Sequence, residues 1–271
     1  ISHFLSIIHL DIIYKMKKTL ISVAGYDPTS GAGSSLDLKV FLSLGYYGIG
    51  ILTSITVQNT QKINEINCLS PDFILEQYRT VKDDIEFSGI KIGMLGCKET
   101  IPVIDKILSQ NKGKPIVVDP VFKSSSGTWL LENNSIPDYL SILKGKASIL
   151  TPNLEETSLL CGKKITDKQD MRAAAKNIFQ TYHIPCLIKG GHLSGQAIDL
   201  LYNGHEYHFI ERAKLNKTVH GTGCFLSSSI LCYLVNGESL VQACKLPGRL
   251  SHQAIQKAIP LGKGQSIIAD I

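Results

Sequence analysis

The chain has 271 residues, 44% of them hydrophobic, which supplies a sizeable core and excludes a disordered or fibrous protein. Its net charge of +5 comes from scattered lysines with no run of five or more Lys or Arg, a pattern that suits a small anionic ligand better than nucleic acid. Seven cysteines, an odd number without a CxxC pair, point to a reducing cytoplasm and not to a disulfide framework.

Residues 1–15, "ISHFLSIIHLDIIYK", are apolar but lack a basic leading region, contain Asp11 and end without a small-residue cleavage site. They fit neither a signal peptide nor a membrane span. Met16, followed by Lys17 and Lys18, is the expected start of the folded part. Residues 1–15 are therefore expected to be an extension outside the fold, and 16–271 a single domain.

"TLISVAG" (19–25) is β-branched and stops at a glycine, predicting a strand. Leu36, Val40, Phe41 and Leu44 then recur at helical spacing over 34–44. The alternation continues with a strand at "GIGILTSI", a helix at "PDFILEQYRTVKDDI", a strand at "GIKIGML", a helix at "TIPVIDKILSQ" and a strand at "PIVVDP". Beyond these, "ASILTPN" reads as a strand meeting a helix start, "DMRAAAKNIFQTY" as a helix and "PCLIKGG" as a strand. Asn203-Gly204 inside "AIDLLYNGHEYHFI" signals a hairpin, and helices over 224–235 and 239–257 close the chain. Strands alternating with helices predict an α/β fold with a mostly parallel sheet covered on both faces. Ligands of such sheets lie beyond the carboxyl ends of the strands.

Five loops following predicted strands are rich in Gly, Pro and polar residues: "AGYDPTSGAG" (24–33), "TVQNT" (56–60), "DPVFKSSSGT" (119–128), "TPNLEE" (151–156) and "KGGH" (189–192). The first matches neither GxGxxG nor GxxxxGK[ST]. It reads as a strand-to-helix turn using Pro28 and Gly31, with Asp27 as a helix cap, or as a substrate lip where glycine permits close backbone approach.

A sixth stretch, "VHGTGCFLSSSI" (219–230), sets Gly221, Thr222, Gly223 and Cys224 before an apolar run. Free N–H groups and the positive helix end make an anion hole there, suited to a transferring phosphoryl group. The alternative is a plain glycine-rich helix start with Thr222 as N-cap. At such a terminus the Cys224 thiol is expected below its usual pKa of about 8.5, as a base or polar contact; a buried structural cysteine is the other reading. Asp119 and Glu156 suit either Mg²⁺ or helix capping, and Lys189 either a phosphate or the surface.

In order and spacing, "AGYDPTSGAG…DLK", "TSITVQNT", "IKIGML", "VVDPV…SG", "LTPNLEE", "IKGGH" and "HGTGC" resemble the hydroxymethylpyrimidine/phosphomethylpyrimidine kinases of thiamine biosynthesis, in the ribokinase-like superfamily. The resemblance runs from about Leu20 to Gly264. It implies a three-layer α/β/α fold without a large lid and, as is usual in the family, a homodimer; the cysteine usage and scattered charge add the expectation of a cytoplasmic protein with no membrane or nucleic-acid partner. The resemblance further implies use of ATP and Mg²⁺ to phosphorylate 4-amino-5-hydroxymethyl-2-methylpyrimidine and then its monophosphate.

Matched by position, Gln58 reads the aminopyrimidine, with Gly25, Asp37 and Met94 in the same pocket; core packing is the other reading of Met94. Asp119 and Glu156 match the Mg²⁺/phosphate acids, Lys189 the phosphate-side lysine, and Gly221 to Cys224 the anion hole. The sequence departs from the family at Tyr26, Thr29, Ser30, Ser34 and Ser35 in the first loop and at Ser125, where many relatives carry Lys or Thr. Pyridoxal kinase is the nearest alternative, and a heterocycle-binding relative without catalysis is a third.

Overall fold

The computed structural model describes residues 18–124, 127–191, 193, 197–212 and 217–271. The expectations for residues 1–15, Met16, Ser125 and His192 lie outside the described residues.

Eleven strands and nine α-helices are described. In chain order they are β1 (Thr19–Tyr26), α1 (Gly33–Ser43), β2 (Tyr47–Gln58), β3 (Ile63–Cys68), α2 (Pro71–Asp84), β4 (Gly89–Ile92), α3 (Ile101–Ser109), β5 (Ile116–Val118), α4 (Ile136–Leu143) and β6 (Ile149–Leu150). There follow α5 (Leu154–Cys161), α6 (Lys168–Tyr182), β7 (Cys186–Ile188), β8 (Ala197–Tyr202), β9 (Tyr207–Arg212), β10 (Val219–His220), α7 (Thr222–Val235), α8 (Leu240–Lys245), α9 (Pro247–Gln256) and β11 (Ser266–Ile267).

Nine strands form one sheet in the order β3-β2-β1-β4-β5-β6-β7-β8-β9; the strands from β2 across to β7 are parallel, and β3, β8 and β9 are antiparallel additions at the edges. Alternate strand residues feed opposite layers. Ile21, Val118, Leu150 and Ile188 pack with α2, α3, α4 and α6, while Leu20, Val117, Ile149 and Leu187 pack with α1, α7 and α8. The result is the expected three-layer α/β/α arrangement, and among the described residues no helix is long and apolar enough to cross a membrane.

Three departures from the sequence reading have local causes. β2 runs on to Gln58 because β3, an unpredicted strand, pairs with it in antiparallel register. The helix expected over 239–257 is two, since Pro247 opens α9 where it cannot continue α8. The short parallel pair β10 and β11 is also unpredicted; it brings the C-terminal segment beside the start of α7. The Asn203-Gly204 hairpin forms as expected: Gly204 has φ +99°, and the Asn203 carboxamide oxygen accepts from the N–H groups of His205 and Glu206.

Candidate active site

The site is built where β1, β5, β6 and β7 end and α7 begins. Gly221 is the residue that caps α7, with φ +81° and no side chain to offer, so Thr222 is the first helical residue and not the cap. The first-turn N–H groups therefore have neither an intrahelical partner nor a side-chain cap. Only glycine fits, because a Cβ at 221 would lie 1.9 Å from the carbonyl oxygen of Gly31. The first loop and the turn thus touch backbone to backbone.

A Cβ on Gly223 would lie 3.1 Å from Lys189 Nζ and 3.6 Å from Asp119 Oδ2, which puts the positive end of α7 directly over an ion pair. Asp119 follows β5 and is buried. It accepts from Lys189 Nζ at 2.8 Å, Thr151 Oγ1 at 3.2 Å and Ser227 Oγ at 3.2 Å. Burial works to raise its pKa, but Lys189 and then Lys91 hold it below the usual carboxylate range. Lys189 follows β7 and is fixed by its own N–H donating to Pro152 O at 2.8 Å and by the Gly190 N–H donating to Asp199. Burial alone would lower the ammonium's pKa; Asp119 and Glu156 outweigh it and hold it above the usual range.

Glu156 serves as a cap. Its Oε2 accepts from the Asn153 N–H at 2.7 Å while Asn153 Oδ1 accepts from the Glu156 N–H at 2.8 Å, a capping box at the start of α5. It is also close enough to Lys189 and Asp119 to feel both charges. Burial pushes its pKa up to about 8, with Lys189 opposing and Asp119 adding. Among the described residues no group of three or more His, Cys, Asp or Glu is placed to hold a metal ion by itself.

On the other side of the turn, Gly25 and Met94 meet. The Gly25 N–H donates to Met94 O at 3.1 Å, and a Cβ on Gly25 would lie 2.8 Å from Ser54 Oγ and 3.0 Å from Met94 Sδ. Met94 is thus buried against the first loop, so its packing role is real. Gln58 ends β2 and is half-buried.

Asp37 departs from its expected place in the pocket. The inward face of α1 carries Ser34, Leu36, Asp37, Val40 and Phe41, so Asp37 points at the sheet and is fully buried. Its oxygens accept from Ser22 Oγ (2.6 Å), Ser228 Oγ (2.7 Å) and Lys91 Nζ (2.9 and 3.0 Å). Protein donors from β1, β4 and α7 occupy the carboxylate.

Asp27 likewise does not cap α1, whose N-cap is Ala32. It folds the first loop instead, accepting from the N–H and hydroxyl of Thr29 at 2.8 Å each and from the Ala32 N–H at 3.0 Å. Its Oδ2 also lies 3.1 Å from His220 Nε2. Burial opposes ionisation, but His220 and Thr29 hold Asp27 below the usual range. His220 thereby ties the first loop to the turn, a role that its position one residue before the glycine turn does not announce. Ser30, standing where the family resemblance implies glycine, has φ +55°.

The expectation of an acidified Cys224 is reversed. Burial pushes its thiol up to about 11, with Lys91 opposing and Asp37 and Asp119 adding to the rise. The shift runs opposite to the one a helix start alone would give, and its causes are burial and the two neighbouring acids.

The sequence profile of the phosphomethylpyrimidine kinase family matches residues 27–269. A hydroxymethylpyrimidine/phosphomethylpyrimidine kinase of Aquifex aeolicus is 37% identical over 250 residues, 92% of this chain and 98% of the relative. Among solved structures, phosphomethylpyrimidine kinase from Clostridium difficile 630 has a TM-score of 0.78 at 34% identity, covering 88% of this chain and 100% of that one. Pyridoxal kinase from Staphylococcus aureus, solved with AMP-PCP and pyridoxal, has a TM-score of 0.85 at 28% identity over 93% of each chain. Since the match takes in most of the first loop, the ends of β5, β6 and β7 and the start of α7, the chain belongs to the phosphomethylpyrimidine kinase family.

Proposed function

We propose that the chain transfers the terminal phosphoryl group of ATP to the hydroxymethyl oxygen of 4-amino-5-hydroxymethyl-2-methylpyrimidine, and then phosphorylates that monophosphate to the diphosphate for thiamine biosynthesis. The observation that carries this reading is the Lys189–Asp119 ion pair beneath the uncapped first turn of α7. Phosphoryl transfer depends mainly on positioning and on stabilising charge over the phosphate oxygens. Lys189 and the N–H groups of residues 222 to 224 provide donors at one place for that charge.

Asp119 and Glu156 are the residues that would hold Mg²⁺, the rest of its ligands being phosphate oxygens and water, as is usual for this ion. The cation's contribution is neutralisation of phosphate charge. The Gln58 amide suits an aminopyrimidine, accepting from the exocyclic amine while donating to a ring nitrogen. A neutral Cys224 lines the anion hole and takes no proton. A loose transition state needs little base assistance. The active unit is a homodimer of one kinase domain per chain, for which the exposed Tyr47, Ile55 and Val57 of β2 offer apolar surface.

The test is purified protein with ATP and Mg²⁺, given first the hydroxymethylpyrimidine and then its monophosphate. Absence of transfer to both would reject the reading. Pyridoxal is a second candidate substrate, favoured by the close superposition on the pyridoxal-bound relative; a kcat/KM for pyridoxal above that for the pyrimidine would reverse the order.

A further inference from the structure

Lys91 stands in the middle of β4 with no solvent exposure, in a run, "GIKIGML", that is otherwise apolar or glycine. Its Nζ lies 2.9 and 3.0 Å from the two oxygens of Asp37, which is equally buried. Replacing a buried ion pair by well-packed apolar residues is often neutral or stabilising, so stability alone gives a weak reason for such a pair.

Its surroundings give a better one. Asp37 joins four elements: α1 carries it, β4 supplies Lys91, β1 supplies Ser22, and α7 supplies Ser228. The pair therefore pins α7 to α1 and to the sheet, just behind the turn that holds Gly221 to Cys224. Lys91 also favours the thiolate of Cys224, against Asp37 and Asp119. The groups acting on Cys224 are Lys91 from β4, Lys189 after β7, Asp37 from α1, Asp119 after β5 and the Gly33 N–H. Lys91 and Lys189 are the full positive charges, and of the two only Lys91 is sealed within the sheet.

We propose that Lys91, paired with Asp37, is a positioning residue for phosphoryl transfer that fixes α7 through Ser228 and sets a permanent positive charge behind Cys224 and the anion hole. A fixed charge in a water-excluded interior acts more strongly than one in solvent and needs no reorganisation as the reaction proceeds. This inference rests on the kinase reading above.

Lys91→Met alone strands a buried carboxylate and risks misfolding, so the double variant Lys91→Met/Asp37→Asn is the principal test, with Asp37→Asn as a second, nearly isosteric one. Two quantities are read in each: kcat with the pyrimidine, and the rate of iodoacetamide alkylation of Cys224, followed by peptide mass spectrometry at a fixed mildly alkaline pH. The expected result is a thermal midpoint close to wild type and a nucleotide KM within a few-fold. In the double variant, kcat falls ~10- to 100-fold, as for other residues that orient a site from behind, and Cys224 alkylation slows about two- to three-fold, because the loss of Lys91, which favours the thiolate, outweighs the loss of Asp37, which disfavours it. Lys91→Arg, which keeps the charge, should recover most of the alkylation rate. Wild-type kcat, or an unchanged alkylation rate in a double variant that folds, would reduce the pair to packing and overturn the proposal. Alkylation needs no substrate, so a wild-type protein that phosphorylates neither pyrimidine would defeat the kinase reading, while the alkylation rates would still decide whether Lys91 sets the charge behind Cys224.

Discussion

Lys189–Asp119 and Lys91–Asp37 share their chemistry but not their access to ligand. Each aspartate accepts from a lysine borne on or just after a strand, and each takes a further hydroxyl from α7, Ser227 for Asp119 and Ser228 for Asp37. Adjacent serines on one helix thus hold two ion pairs. The difference is depth: Lys189 lies past the end of β7, with 15% of its side chain exposed, whereas Lys91 lies within β4 and is sealed. In a parallel sheet the strand end is where a side chain can meet a ligand, so on the proposed reading position along the strand decides which pair touches phosphate and which only supports.

Four substitutions would break or sharpen that contrast. Lys189→Ala should have the largest effect, lowering kcat ~10²–10³-fold, the range for loss of one donor that stabilises transition-state charge; steady-state kinetics with saturating ATP would show it. A loss under ten-fold would mean that the exposed pair is as indirect as the buried one. Gly221→Ala follows, because its Cβ would strike the Gly31 carbonyl and its φ is left-handed. The strain should cost about 2–3 kcal/mol in urea unfolding and separate the first loop from the turn.

Cys224→Ala should reduce kcat about ten-fold while leaving ATP affinity nearly unchanged, since the hole matters most where charge develops. The same thiol supplies a pH test. Its folded-state pKa of about 11 lies above the ordinary 9.0, so its contribution to stability is complete below pH 9 and is lost as pH rises toward 11. Wild type should lose more stability than Cys224→Ala across that interval, and parallel curves would contradict the assigned environment. Ser30→Gly should have the smallest effect. Relief of a left-handed serine, ~1–2 kcal/mol, exceeds the added chain entropy of glycine, ~0.4–1 kcal/mol, so unfolding should shift by about 0.5 kcal/mol toward stability.

The side of the site proposed for phosphate is the more legible in the sequence. Asp119 and Lys189 each follow a strand-like run directly, and strand ends in a parallel sheet converge; Gly221 is marked instead by the glycines before an apolar helical run. The same logic fails for Asp37, whose spacing with Leu36, Val40 and Phe41 marks the inward face of α1 and is itself a signal of burial. Lys91 is missing from the sequence reading although its context carries a signal: a lysine amid "GIKIGML" has either a water-filled cavity or a buried acid to meet. The bridge between Asp27 and His220, 193 residues apart in sequence, leaves no local trace. Nor can spacing reveal the acidity of Cys224, because the helix end is visible in sequence whereas the surrounding acids and enclosure come only with the tertiary fold. Gln58 in a strand instead of a loop follows from β3, whose modest apolar content, "INEINC", hides an edge strand.

Mass spectrometry of the product formed from 4-amino-5-hydroxymethyl-2-methylpyrimidine with ATP and Mg²⁺ tests the central claim most directly. The monophosphate should appear first and the diphosphate after it, both abolished or severely slowed by Lys189→Ala. Formation of neither phosphate by the wild-type protein, or of both at undiminished rate by Lys189→Ala, would contradict the assignment of phosphoryl transfer to this site.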